Sequence, residues 1–197
     1  MSAVDPVDAY ARAAAAFGEV IADLDDEDWE RPTWPEEWNV IATVAWVVVG
    51  DSQIPLAVSG SSLDPPRDFD AGVLGTSPVA TWRGTALAAV AALREPGALA
   101  QRAELPGGEI VVADLVGQRV TENVVRAHDI ATVVGRDHDL AARLDDGLIE
   151  WCLEFWAGHA DAVLAGGVLP DAPVEPAPAA GPLVRLLALT GRDRPGV

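Results

Sequence analysis

Residues 114–135 read DLVGQRVTENVVRAHDIATVVG, and their periodicity sets the fold. Val120, Val124, Ala127, Ala131 and Val134 recur at helical spacing and form an apolar stripe. Arg119, Glu122, Arg126 and Asp129 follow at intervals of 3, 4 and 3 on a different face, with alternating sign. Gly135 supplies a stop. The stretch predicts a long helix from about Asp114 to Val134 that packs against other helices. Periodicity alone favours a solvated charged face laced by i,i+4 pairs.

Outward from this helix, the same signals recur. Asp5-Pro6 combines a cap residue with proline at the first helical position, and Tyr10, Ala14, Phe17, Ile21 and Leu24 then make a packing seam. The acidic run 23–30 ends that helix, and the two prolines of Arg31–Trp38 exclude helix there. Asn39 is placed to cap a second helix from Val40 to about Ser59, apolar nearly all round and interrupted by Pro55. Residues 60–77 are rich in glycine and proline and read as a long connection. Ser77-Pro78 opens a third helix to Leu93, and Ala100–Leu105 with Glu109–Val112 flank a Pro-Gly-Gly turn as a small hairpin. A fifth helix is expected over 145–165, followed by a Pro/Ala-rich tail over 169–182. A short helix from Leu183 to Thr190 then docks Leu186, Leu187 and Leu189. Helices of this length and number make an all-α bundle. Residues 1–167 are read as the bundle and 168–197 as its tail and docking helix, within one domain.

Composition narrows the chemistry. The 197 residues carry 31 acidic and 13 basic side chains, a formal charge of −18, and every basic residue is arginine. Without lysine there is no Schiff-base enzyme and no P-loop clamp. One cysteine, Cys152, permits no internal disulfide and no thiolate zinc cluster. The negative balance argues against nucleic acid. Half the residues are hydrophobic, enough for a sizeable core. The N-terminal stretch has no signal-peptide pattern, and the longest apolar run, Val40–Gly50, is about half the length that spans a bilayer. A cytoplasmic protein without a membrane partner is expected.

Five segments in register resemble one family. Trp29-Glu30-Arg31-Pro32-Thr33 followed by Trp38-Asn39-Val40 is similar to the W-x-x-P-T-P-C-x-x-W-T-V motif of the DinB-like superfamily. Its nearest branch is the actinobacterial one named after mycothiol-dependent maleylpyruvate isomerase. Pro96-Gly97-Ala98-Leu99, the turn Leu105-Pro106-Gly107-Gly108, and Glu122 through Gly135 resemble later segments of that branch. Leu186 to Asp193 resembles its C-terminal signature. The resemblance implies a DinB-like four-helix bundle with additional C-terminal helices. It also implies a divalent metal, usually zinc, held by a histidine on helix two and a Glu-x-x-x-His pair on helix four, with thiol-dependent transfer or isomerisation using mycothiol or a related thiol. Homodimers are compatible with it.

Against that pattern two of three ligand positions differ. Trp46 stands at the helix-two histidine, Glu122 matches the glutamate, and Arg126 stands at the second histidine. The expectation is a protein with no metal, and no cofactor, that binds a small hydrophobic or planar molecule in the bundle cavity. There it would catalyse an isomerisation, cyclisation or group transfer. Arg126 and Glu122 would orient or polarise an anionic or carbonyl substrate, and His128 would move a proton. Trp46, Gln53, Trp34, Arg119 and Asp129 would line the pocket. Two other readings stand beside this one: a mycothiol-dependent enzyme with an altered metal site, and a non-catalytic binding or interaction protein.

Overall fold

In the computed structural model, Asp5 starts the first helix by accepting hydrogen bonds from the backbone N–H groups of Val7 and Asp8 with its side chain. The structure describes residues 4–64, 71–106, 108–136, 140, 144–166, 175 and 179–192. The loop residue His138 and most of the Pro/Ala-rich tail lie outside them. Helix α1 spans Pro6–Ala22, α2 Val40–Val58, α3 Pro78–Leu93, α4 Val112–Val133, α5 Asp146–Gly166 and α6 Pro182–Leu189. Strands β1 (Arg102–Leu105) and β2 (Gly108–Val111) form an antiparallel ribbon, pairing Arg102 with Val111 and Leu105 with Gly108. The fold is all-α, with this ribbon as the one sheet among the described residues.

The chain divides into two compact units. Residues 5–143 form one; residues 144–197, with the first four, form the other. The boundary between the units falls ahead of α5.

In the larger unit each of four helices packs on two neighbours, in the cyclic order α1–α4–α2–α3. Tyr10, Phe17, Val40, Val44, Ile54, Val120, Val124 and Ile130 are buried within it. Close approach between α1 and α3 depends on Gly18, where a Cβ would overlap the indole of Trp82. Asn39 caps α2 by accepting from the N–H of Ala42. Helix α2 runs 19 residues and is long and apolar enough to cross a bilayer. That is longer than the apolar run suggested, because the helix continues through Asp51 and Pro55. More than half of it, 56%, is buried inside the protein, where it contacts α3 and α4.

Other boundaries shift by small amounts. Helix α1 stops at Ala22, so Leu24 of the expected seam lies beyond it, half-buried. Ser77 makes no side-chain capping hydrogen bond, although Pro78 does start α3. In the smaller unit α6 packs on α5. Leu186, Leu187 and Ala188 are buried, whereas Leu189 is only half-buried. On α5, Phe155 stacks with Trp151 and with His159, at centroid distances of 6.0 and 4.4 Å. His159 is half-buried.

Candidate functional site

The site begins with the charged stripe of α4, and that stripe is not solvated. Arg119, Glu122, Arg126 and Asp129 are all buried, Arg126 with 2% of its surface exposed. Because both the apolar and the charged faces of α4 are covered, the charges must satisfy one another. They do so in two adjoining clusters.

The first cluster centres on Arg126. Its Nε donates to Glu122 Oε2 at 3.0 Å, and its Nη1 donates to Asp129 Oδ2 at 3.3 Å and to the carbonyl of Trp34 at 2.9 Å. The guanidinium carbon lies 4.9 Å from the centroid of the Trp38 ring, a cation–π distance. Trp46, reaching from α2, donates its indole N–H to the same Glu122 Oε2 at 3.0 Å. The rings of Trp38 and Trp46 meet at 5.4 Å, inclined by 53°.

Backbone geometry explains how the loop 31–39 brings its tryptophans here. Thr33 donates its N–H to the carbonyl of Trp38 and Val40 donates to that of Arg31, which closes the loop on itself. The hydroxyls of Thr33 and Thr43, 2.7 Å apart, tie it to α2. Arg126 ties it to α4 through the Trp34 carbonyl, and Arg31 does so through the carbonyl of Val133 at 3.2 Å. Trp34, Trp38 and Trp46 are each half-buried. Trp34 Nε1 is buried with no hydrogen-bond partner among the described residues.

The second cluster centres on Asp51, 1% exposed in the middle of α2. Its carboxylate accepts from Arg119 Nε at 2.8 Å, from the Tyr10 hydroxyl at 2.9 Å and from Asn123 Nδ2 at 3.1 Å. Arg119 Nη2 also reaches the carbonyl of Val47 at 3.4 Å. Gly50 admits this guanidinium: a Cβ there would overlap it. Burial pushes the pKa of Tyr10 well above the usual phenol range, and the Asp51 charge pushes it further. Burial alone would lower the pKa of Arg119, but the carboxylates of Asp51 and Glu122 more than offset it and the pKa rises. Glu122 thus lies within the field of Arg119 as well as on Arg126.

The structure brings together Arg126, Glu122, Asp129, Trp46 and Trp34 from the sequence-based set. Arg119 belongs instead to the Asp51 cluster. Gln53 joins neither: its Oε1 is buried without a partner among the described residues. His128 is half-buried, six residues after Glu122 and about 120° around the helix axis from it. Sequence reasoning did not place Asp51, Tyr10, Asn123 or Trp38 in the site. The available signal was Asp51 itself, a lone acid within an apolar helix.

The metal implied by the resemblance does not fit these residues. An indole N–H and a guanidinium offer donors and no lone pair, and both point their hydrogens at Glu122 Oε2. Among the described residues no three His, Cys, Asp or Glu side chains gather as a metal site. A separate surface cavity of about 310 Å³, lined by Ser62, Leu63, Asp64, Glu104, Leu105 and Pro106, contains none of the expected site residues.

No family model matches the chain, and no solved structure matches it. It is similar to uncharacterised proteins of Mycobacterium tuberculosis, one from strain CDC 1551 / Oshkosh and one from strain ATCC 25618 / H37Rv. Each is 29% identical over 141 residues, covering 72% of this chain and 74% of the relative.

Proposed function

We propose that this protein is a metal-independent, cytoplasmic member of the DinB-like superfamily. It binds a small planar or hydrophobic molecule where Trp38 and Trp46 meet Arg126, beside the backbone of Trp34. The observation that carries this reading is the shared acceptor: Glu122 Oε2 receives both the Trp46 indole and the Arg126 guanidinium. A fixed cation takes the role of the family's metal, held by Glu122, Asp129 and the Trp34 carbonyl. Half-buried indoles beside it supply flat apolar surface. Relatives in Mycobacterium support the actinobacterial side of the resemblance.

Binding is favoured over turnover. An isomerisation, cyclisation or group transfer needs a group that moves a proton. Of the candidates, Glu122 and Arg126 already engage each other, and His128 follows Glu122 by six residues, about 120° around the helix. The test is thermal unfolding of the purified chain with a panel of bicyclic aromatics, and separately with zinc and with mycothiol. A ligand at a hundred times its Kd stabilises by about 2.7 kcal/mol, a readily measured rise in Tm. The expected outcome is a rise with aromatics that is lost in Trp46→Leu, and none with zinc. A stoichiometric zinc ion that raises Tm would overturn the reading, as would aromatic binding unchanged by Trp46→Leu.

A further inference from the structure

Arg126 and Glu122 are 2% and 9% exposed, so a ligand reaches them only when something that covers them moves. Helices α2 and α4 are tied into the bundle by whole faces of buried side chains. The loop 31–39 is held differently. Of its residues only Thr33 is buried, while Pro32, Glu36 and Glu37 are exposed. Segments with few buried contacts open at low cost, ahead of global unfolding.

The backbone bonds of this loop are its own. Val40 donates its N–H to the Arg31 carbonyl at 3.0 Å, Thr33 to that of Trp38 at 2.8 Å, and Trp38 to that of Pro35 at 2.9 Å. At the base, Asn39 Nδ2 donates to Glu30 Oε2 at 3.0 Å and clamps the two ends together. Among the described residues no backbone–backbone hydrogen bond joins residues 32–38 to α2 or α4. Side chains make the ties instead. The Thr33 and Thr43 hydroxyls meet at 2.7 Å, and Arg126 donates Nη1 to the Trp34 carbonyl and lies against the Trp38 ring. Lifting the loop spares its internal bonds, and Arg126 keeps its ion pairs with Glu122 and Asp129. No buried charge loses its partner in the motion.

We infer that residues 31–39 form a strap that swings about its clamped base while the four helices stay folded, uncovering Arg126 and Trp46. Arg126 is the latch, because the same guanidinium that neutralises Glu122 and Asp129 holds the strap by one carbonyl and one ring face. The bearing of this motion on a ligand rests on the binding reading above.

The experiment is native-state hydrogen exchange of the full-length chain, followed in 1H–15N spectra over a series of low urea concentrations. The probe is the Trp46 indole N–H, which donates to Glu122 Oε2. The references are the backbone amides of Val44 and Val124, both fully buried. Exchange at Trp46 is expected to be faster than at the references and nearly independent of urea, because the opening exposes little surface. Val44 and Val124 follow global unfolding with its full urea dependence. A lock then identifies the moving segment. Thr33→Cys with Thr43→Cys places two thiols where the hydroxyls meet, within disulfide reach, and Cys152 is buried. Oxidation is expected to slow Trp46 exchange roughly tenfold or more, and dithiothreitol to restore it. Trp46 exchange in the wild type that rises with urea as steeply as that of Val124 overturns the inference without any variant. Equal Trp46 rates in the oxidised and reduced forms overturn it too. No ligand enters the measurement, so its outcome is separate from that of aromatic binding.

Discussion

Arg126 holds two buried carboxylates and a loop carbonyl at once. Its loss leaves Glu122 and Asp129 buried with their cation gone and the Trp34 carbonyl without its donor. Breaking a buried pair from one side costs about 3–5 kcal/mol, so Arg126→Ala is expected to lower urea stability by that order. Arg126→Lys recovers little of it, because a point charge cannot serve three acceptors and a ring face at once. A subtler probe is Gly50→Ala. The added methyl displaces the Arg119 guanidinium from its place against α2 and strains its bond to Asp51. The expected cost is about 1–3 kcal/mol in chemical denaturation. Among individual residues, Trp46 and Arg126 were singled out as departures from a motif and Glu122 as its match, and the structure joins the three at one oxygen. Asp51 was passed over, since a lone acid in an apolar helix marks itself but not its partners. Its partners, Tyr10 and Arg119, lie 41 and 68 residues away.

Helices announce their starts more clearly than their neighbours. Asp5-Pro6, Asn39 and the Pro-Gly-Gly turn were readable because capping and turn chemistry act within a few residues. The inward turn of the charged stripe on α4 was not readable from spacing. Alternating charge at i,i+3 and i,i+4 stabilises a helix in water and also lets it bury that face, so one pattern serves two environments. Two glycines make the same point about packing, with opposite signs. Gly18 on α1 lies under the Trp82 ring, whereas Gly84 on α3 has nothing within reach of an added Cβ. Gly18→Ala is expected to lose about 1–3 kcal/mol through overpacking. Gly84→Ala gains about 0.5–1 kcal/mol from helix propensity alone. Parallel melts of the two variants check both signs at once.

For the molecule as a whole, the alkaline limb of stability is unusually simple to assign. The chain has one tyrosine and no lysine. Tyr10 is held protonated in the folded state by burial and by Asp51, so its folded pKa lies above the unfolded value of about 10. Below that pH both states keep the proton and its contribution is complete. Above it the unfolded chain ionises first, the folded state binds more protons, and stability falls as pH rises. The slope approaches about 1.4 kcal/mol per pH unit. Unfolding free energies between pH 9 and 11 are expected to fall more steeply in the wild type than in Tyr10→Phe, and equal slopes would contradict the assignment. The fold class was legible at this scale, but the partition into units was not. Residues 145–165 carry the same helical periodicity as the bundle, and periodicity does not say which helices share a core.

The single oxygen shared by Trp46 and Arg126 also constrains how such a site can evolve. Replacing Trp46 by a histidine leaves Arg126 bound to Glu122, and replacing Arg126 by a histidine leaves the indole there and strips Asp129 of its cation. Neither step alone creates a cation-binding trio, and the second is costly by itself. The two positions are therefore coupled through one oxygen, and the effects of substituting both on unfolding free energy are expected to be non-additive.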